Sequence, residues 1–106
     1  MTTISLVLDC QDPDKLAGFW GSALGYDLVG SVDTYVLLVS SSAGSPKLLL
    51  QRVPEGKSAK NRMHLDIETG NIEAEATRLQ ELGATRLQPA ALHEHGSSWL
   101  LMADPE

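Results

Sequence analysis

The sequence lacks the features of secreted and membrane proteins. Its 106 residues include a single cysteine, Cys10, so no intrachain disulfide can form, which is typical of a reducing compartment. No apolar run approaches the ~20 residues that a membrane-spanning helix needs. The first residues also lack the basic stretch and cleavage site of a signal peptide. We therefore expect a cytoplasmic protein without a membrane partner.

Positive charge and aromatic side chains are also scarce. Lys and Arg total 8 against 14 Asp and Glu, which gives a formal net charge of −6. Nucleic acids and anionic membranes both require a basic surface, so this balance argues against either as the main partner. Aromatic residues make up 5% and apolar residues 42%, which predicts an aliphatic core. The length allows one small domain, or two half-domains that share one core.

The first half of the chain predicts a strand, a helix and three further strands. Alternation in the first strand places Ser5 on one face and Leu6 on the other. Asp12 is a favourable N-cap, Pro13 suits the first helical position, and Gly25 suits a left-handed C-terminal cap. The four strands are expected at residues 3–9, 26–30, 34–39 and 47–53.

The second half follows the same order after a polar linker at residues 54–61. It begins with an expected strand at 62–68, in which apolar and polar side chains alternate. A helix is expected from Asn71, which is a suitable cap, to Gly83, which is its stop. The alternating strand has Met63, Leu65 and Ile67 on its apolar face and His64 and Asp66 on its polar face. Residues 84–88 and 97–103 are expected strands, joined by a connector at 89–96.

The two halves therefore predict one repeated supersecondary unit. Aligning the helix that ends at Gly83 with the one that ends at Gly25 brings the preceding strands into register to within one residue. His64 then falls beside Ser5. Self-similarity of this kind is a strong architectural signal. The prediction is a single domain over residues 1–106, with βαβββ modules at 1–53 and 62–106, the second one strand short.

Four segments resemble the vicinal oxygen chelate superfamily, and most closely its glyoxalase-like domain branch. They are LDCQDPDKLAGFWGSALGY at 8–26, LLLQRVPEGKSAKNRMHLDIE at 48–68, LQELGATRL at 79–87 and LLMADPE at 100–106. The superfamily includes glyoxalase I, bleomycin-resistance proteins and extradiol dioxygenases. The resemblance implies an α+β fold of paired βαβββ modules, whose curved mixed sheets enclose a cavity. Because many members are dimers, it also implies a homodimer.

The resemblance further implies where a metal would be held. In metal-using members, four side chains reach the cavity from the first and fourth strands of each module. The matching positions here are Ser5, Gln51, His64 and a position beyond Glu106, in a last strand that we expect to be absent from the chain. A serine hydroxyl normally stays protonated and is a poor ligand. The cofactor is therefore left unknown, and a complete divalent-metal site is disfavoured although His64 and Gln51 are suitable ligands.

The candidate site residues follow from these positions. His64 is the candidate catalytic residue, as an acid, a base or a metal ligand; the alternative is a polar residue hydrogen-bonded in a metal-free cavity. Gln51, Asp66 and Ser5 are expected polar contacts for a small organic ligand, and Trp99 is expected to line its cavity. Gln51 could equally lie on a solvent-facing strand surface.

Three further features have simpler interpretations. His93 and His95 would share a face if they lay on a strand, as metal-binding pairs do, but the neighbouring proline and glycine favour a solvated loop. Asp9 and its counterpart Asp66 could each act as a general base, although a structural acceptor for backbone or arginine N–H groups is commoner. Cys10 is expected to be a small buried thiol.

Three functions remain open on the sequence alone. The leading hypothesis is a glyoxalase-like protein that binds a small organic molecule. It could act as a lyase, isomerase or dioxygenase with His64 as acid or base, with or without a metal. The second is a non-catalytic protein that sequesters a drug or metabolite, as bleomycin-resistance proteins do. The third is a dimerisation module without a ligand.

Overall fold

In the computed structural model, which describes residues 3–106, the chain divides into two units. Unit one comprises residues 3–57 together with Glu106, and unit two comprises residues 58–105. Within the described range, no helix has both the length and the apolarity needed to cross a membrane.

Unit one has the βαβββ order that the sequence predicts. Its four strands form one sheet in the order β1-β4-β3-β2. The β1–β4 pair is parallel, whereas β4–β3 and β3–β2 are antiparallel. The elements are β1 (Ser5–Cys10), α1 (Pro13–Leu24), β2 (Asp27–Val32), β3 (Tyr35–Val39) and β4 (Lys47–Arg52).

The predicted ends of α1 are confirmed. The Asp12 side chain accepts a hydrogen bond from the Lys15 backbone N–H at 3.2 Å, which satisfies one of the unpaired donors of the first turn. Pro13 occupies the first turn, where its missing N–H costs nothing. Gly25 has a φ of 68°, the left-handed conformation that a residue with a side chain adopts only at a cost.

The core of unit one lies between α1 and one face of the sheet. Leu16 of α1, Leu38 of β3 and Leu50 of β4 are its largest fully buried side chains. Smaller buried residues, including Cys10, fill the space around them, so the predicted buried thiol is confirmed. The central cluster consists of aliphatic side chains and Cys10, as the composition predicts, with the half-buried Trp20 and Tyr26 packed against it.

Unit two contains a helix and four short strands. Asn71 caps the helix by accepting a hydrogen bond from the Ala74 backbone N–H at 3.0 Å, and Gly83 follows its last turn with a φ of 120°. The strands pair antiparallel as β5–β8 and β6–β7. The elements are α2 (Ile72–Leu82), β5 (Thr85–Arg86), β6 (Leu92–Glu94), β7 (Ser97–Trp99) and β8 (Met102–Ala103).

Charged side chains secure the outer surface of α2. Arg78 donates to both carboxylate oxygens of Glu75, at 2.5 and 3.0 Å. These hydrogen bonds, aided by the positive charge of Arg78 and opposed by partial desolvation, hold the pKa of Glu75 below its ordinary value of 4.5. Arg86 of β5 donates to Glu73 at 2.9 Å and to Gln80 at 2.8 Å, which ties that strand to the helix.

Two predictions about unit two are wrong. Residues 62–68 do not form a strand, and Met63 is 73% exposed instead of packing into a core. Alternation permits a strand, but an extended segment becomes one only when it has a ladder partner. No strand of unit two is hydrogen-bonded to this segment. The strand predicted at 97–103 is interrupted, and forms β7 and β8 instead.

The predicted connector at 89–96 contains a strand and a tight turn. Its residues Leu92–Glu94 form β6, which pairs with β7. The turn between these strands has two residues, His95 with a φ of 53° and Gly96 with a φ of 78°. Positive φ at both positions is the type I′ hairpin geometry, which matches the twist of the flanking strands.

The core of unit one predicts a large cost for truncating Leu50, which is fully buried. Leu50→Ala should lower the free energy of unfolding by about 2–5 kcal/mol, because it removes buried methyl groups and leaves a cavity. Leu28→Ala makes the same chemical change at a side chain that is 63% exposed and should change stability by about 0.5 kcal/mol or less. Urea denaturation followed by circular dichroism measures both values. Equal losses for the two variants would contradict the assignment of the core.

Candidate ligand-binding face

The unit-one sheet has one face that the helix leaves uncovered. Because α1, the helix within residues 3–57, packs on the opposite face, side chains that alternate with the buried leucines point away from that core. We call this surface the open face. On β1, β4 and β3, the side chains of the open face are Ser5, Val7 and Asp9 of β1, Lys47, Leu49 and Gln51 of β4, and Tyr35, Leu37 and Val39 of β3.

Strand register arranges the open face in three rows that cross the strands. Two of the rows carry polar side chains, and an apolar row lies between them. In order along β1, the rows are Ser5–Lys47, Val7–Leu49–Leu37 and Asp9–Gln51–Tyr35.

Gln51 is at the centre of the third row, with Asp9 and Tyr35 as its direct partners on the neighbouring strands. Neighbouring strands lie about 4.8 Å apart, so an amide, a carboxylate and a phenol are presented within reach of one small molecule. The backbone of Gln51 is held in place from below, where its carbonyl accepts a hydrogen bond from the Cys10 thiol at 3.7 Å. The strand that carries Gln51 is therefore hydrogen-bonded directly to a residue of the core.

The sequence alone singled out Gln51 and Asp9 but did not associate them with each other. It left Asp9 as either a general base or a structural acceptor, and nothing in the chain order associates Asp9 with Gln51 or Tyr35. Only the register does so: the parallel pairing sets Asp9 opposite Gln51, and the antiparallel pairing sets Tyr35 on its other side. The sequence offers one signal for the face on which each of these residues lies, which is the alternation of side chains along its own strand.

Ser5 lies on the open face but not beside Gln51. Its register partner is Lys47, four residues before Gln51 on the same strand. At 3.3 Å per residue, the two rows are about 13 Å apart, which is too far for a serine and a glutamine to share one metal ion. Within residues 3–106, no three His, Cys, Asp or Glu side chains are grouped so that they could hold a metal. The residues of unit one therefore do not fit the metal-ligand set that the resemblance implies.

The ends of β1 and β4 are fastened together beside the polar row. Arg52 donates to the Gln11 carbonyl at 3.0 Å, and the Gln11 side chain donates to the Pro54 carbonyl at 3.1 Å. The Val53 backbone N–H donates to the Cys10 carbonyl at 2.8 Å. A shallow depression of about 360 Å³ is lined by Gln11, Arg52, Val53 and Pro54. These contacts fix the ends of β1 and β4, next to Asp9 and Gln51.

Glu106 accepts two further hydrogen bonds at this end of the sheet. Its two carboxylate oxygens accept hydrogen bonds from the Gln11 and Asp12 backbone N–H groups, at 2.7 and 2.8 Å. Both donors lie in the connection from β1 to α1, where backbone N–H groups lack helical partners. The carboxylate thus plays a second capping role beside that of the Asp12 side chain. Sequence reasoning noted the segment that ends in Glu106 only as part of a resemblance and did not find this role.

His64 and Asp66 are brought together within unit two. Their Nδ1 and Oδ1 atoms lie 3.1 Å apart, and the side chains are 67% and 82% exposed. The sequence placed both residues on the polar face of a strand, and although the strand is not formed, the two side chains still pair. A carboxylate in this position selects the ring tautomer of the histidine and leaves Nε2 available for proton transfer.

The remaining predicted residues lie on the β6–β7 hairpin. Trp99 is 39% exposed and pairs across the hairpin with Leu92. The His93 Nδ1 atom is in hydrogen-bonding contact with Ser98 Oγ, whereas His95 Nε2 pairs with Glu94 at 3.0 Å. The two histidines therefore have separate partners. The expected solvated loop is correct in exposure, but His93 belongs to a strand and His95 to a turn.

Comparison with protein families supports the architecture. The family model described as "Glyoxalase-like domain" matches residues 5–106 of the chain. No curated protein shows significant sequence similarity to it.

Solved structures share the fold at low sequence identity. Hypothetical protein SA1046 from S. aureus matches with a TM-score of 0.70 and 16% identity, over 98% of this chain and 86% of that one. A glyoxalase-related enzyme from Fulvimarina pelagi matches with a TM-score of 0.68 and 20% identity, over 99% and 82%. A glyoxalase/bleomycin resistance protein from Streptomyces sp. CB03234 matches with a TM-score of 0.62 and 20% identity, over 98% and 92%. These likenesses confirm the predicted α+β fold class.

The position of Glu106 predicts that its charge stabilises unit one. Glu106→Gln retains the size of the side chain but replaces a charged two-oxygen acceptor with an amide that has a single acceptor oxygen. The variant should lose about 1 kcal/mol of unfolding free energy, measured by urea denaturation. Glu55→Gln is the matched control, since it removes the same charge from an exposed side chain in the same unit. If the two variants are equally stable, the Glu106 contacts contribute nothing to folding.

Proposed function

Because the chain belongs to the glyoxalase-like domain family, we propose that it binds a small organic molecule on the open face of unit one. The observation that carries this proposal is the polar row Asp9–Gln51–Tyr35 beside the apolar row Val7–Leu49–Leu37. Small-molecule sites typically combine apolar contact area with a few fixed polar groups. The resemblance also implies a cavity lined from the first and fourth strands of each module, which are β1 and β4 in unit one.

The two rows would contribute differently to binding. The side chains of Val7, Leu49 and Leu37 offer apolar area, and Val7 is 55% exposed although it lies within the sheet. Removing such area from water supplies most of the binding free energy. Gln51 would orient the ligand, because its amide both donates and accepts hydrogen bonds. It is half-buried, so part of its side-chain freedom is already restricted before a ligand binds.

Binding at the open face predicts a loss of affinity in Gln51→Leu. The substitution keeps a side chain of similar size but removes its hydrogen-bonding groups. The affinity for a ligand should therefore fall by about 3- to 10-fold. Ligands would be found by screening small organic molecules against methyl-labelled protein, with the Leu37 and Leu49 signals as reporters. Gln80→Leu is the control, since it makes the same change on α2 of unit two. A library that shifts neither leucine signal would refute the proposed site.

A second candidate function is catalysis, and the pairing of His64 with Asp66 at 3.1 Å favours it. The carboxylate orients the imidazole, as a general acid or base requires. The corresponding reaction class is proton transfer at a carbon next to a carbonyl, in a lyase or isomerase. A binder of the bleomycin-resistance type would need no such pair.

Deuterium exchange tests this candidate. Carbonyl ligands from the screen would be incubated with the protein in heavy water, and exchange at the adjacent carbon followed by NMR. His64→Ala should slow exchange by about 10²- to 10⁴-fold, while leaving the fold intact because His64 is exposed. His95→Ala is the matched control, since that imidazole also pairs with a carboxylate. Exchange at the wild-type rate in His64→Ala would show that His64 is not catalytic, and binding without exchange would favour sequestration.

A further inference from the structure

The edge strand β2 extends the three rows of the open face to a fourth strand. Its register sets three residues opposite open-face residues of β3, namely Asp27 opposite Val39, Gly30 opposite Leu37 and Val32 opposite Tyr35. Residues directly opposite each other in an antiparallel pair point to the same side of the sheet. The three β2 residues therefore belong to the open face, and each row crosses all four strands.

The middle row contains no polar side chain, whereas each outer row contains three. The middle row consists of Val7, Leu49, Leu37 and Gly30. The outer rows consist of Ser5, Lys47, Val39 and Asp27 on one side and of Asp9, Gln51, Tyr35 and Val32 on the other. The two outer rows are about 13 Å apart along the strands. The middle row is therefore an apolar strip, one side chain wide, that runs across the sheet between polar borders.

Gly30 ends this strip without a side chain. Its φ is not positive, and a Cβ atom at this position would have no other atom within 4 Å. Glycine weakens a strand, because its backbone loses more freedom on folding and it offers no side chain to pack. The bulge beside it also needs no glycine here, since the bulge type that requires one places it in the left-handed conformation. Neither backbone conformation nor packing within residues 3–106 thus explains the glycine, which leaves the end of the strip open.

We propose that the ligand of the open face carries an unbranched hydrocarbon chain, which lies along the middle row and crosses the edge of the sheet at Gly30. The inference rests on the proposed function, because it requires that a ligand binds this face. The shape of the apolar strip carries it. A chain contacts the strip along its length, whereas a compact group of the same size also covers the polar borders, and burying polar groups without partners costs free energy.

The register also sets the path of the chain. Its polar end group lies at Gln51, and the chain passes Leu49 and Leu37 before it reaches Gly30. This path crosses two strand spacings, about 10 Å, which an extended chain of about eight carbons spans. Position 30 therefore determines how long a chain the face accepts.

Alkane-1,2-diols of four, six and eight carbons test the chain. They are uncharged, and their hydroxyl groups donate and accept hydrogen bonds, as the amide of Gln51 does. Each is titrated into the full chain, with the Leu37 and Leu49 methyl signals as readout. Each added CH₂ group should tighten binding by about two- to fourfold, because more apolar area leaves water. Cyclooctane-1,2-diol holds the same eight carbons in a compact ring and should bind no more tightly than the six-carbon chain.

A side chain at position 30 should close the end of the strip. In wild type, the eight-carbon diol should bind about 4- to 16-fold more tightly than the six-carbon diol. Gly30→Leu should reduce this advantage to about twofold or less and leave the affinities of the shorter diols unchanged. Gly30→Ala, which adds only a methyl group, should have an intermediate effect, and circular dichroism checks that both variants fold. Gly18→Leu is the matched control, because it adds the same side chain to α1 at a position that also has open space.

The outcomes distinguish this inference from the function on which it rests. If the diols shift the leucine signals but the ring binds as tightly as the eight-carbon chain, the unbranched chain is refuted and the binding face stands. If Gly30→Leu leaves the eight-carbon advantage intact, the chain does not cross position 30 and the inference also fails. If no diol shifts Leu37 or Leu49, the inference fails, and the library screen decides whether the proposed function fails with it. If Leu49→Asp then converts a dimer to a monomer, a second copy of the chain covers the face and both fail.

Discussion

The parallel pairing of β1 with β4 is the constraint on which the rest of unit one depends. Parallel neighbours cannot be joined by a tight turn, so the chain must cross over between them, and α1, β2 and β3 all lie within that crossover. Leu6 and Leu8 pair with Leu48 and Leu50 on the face that α1 covers. A shift of one residue would exchange the two faces, bury the polar set and expose the leucines. The hydrophobic core and the open face are therefore two consequences of one register.

The hydrogen bonds at the ends of β1 and β4 stabilise unit one and lie beside the candidate site. Hydrogen bonds donated by Arg52, and those that Glu106 accepts, join the ends of β1 and β4 to the start of α1, close in sequence to Asp9 and Gln51. Two backbone donors that a helix start leaves unpaired are satisfied by a carboxylate far away in sequence. Contacts of this kind limit movement of the polar row, and a prepositioned polar group loses less entropy when it binds.

The two units have similar sequence patterns but form sheets of different extent. Every strand of unit one has a partner along most of its length, whereas the strands of unit two have two or three residues each. Within residues 3–106, the segment around His64 has no neighbouring strand to pair with, and its side chains Met63 and Leu65 are exposed. One fold supports many chemistries, so the two proposed functions are argued from particular residues and not from the shared architecture. The open face and the His64–Asp66 pair are separate features, and each can be tested without the other.

Local interactions explain what the sequence alone determined. The helix caps at Asp12, Gly25 and Asn71 depend on residues within a few positions of each other, and the aliphatic core follows from alternation and composition. The α+β fold followed from resemblance. Only the tertiary structure decided that Asp9 lies beside Gln51, that Ser5 lies two rows away, and that residues 62–68 form no strand. Register and ladder partners are relations between distant segments, and no local pattern specifies which residue of one strand will face which residue of another.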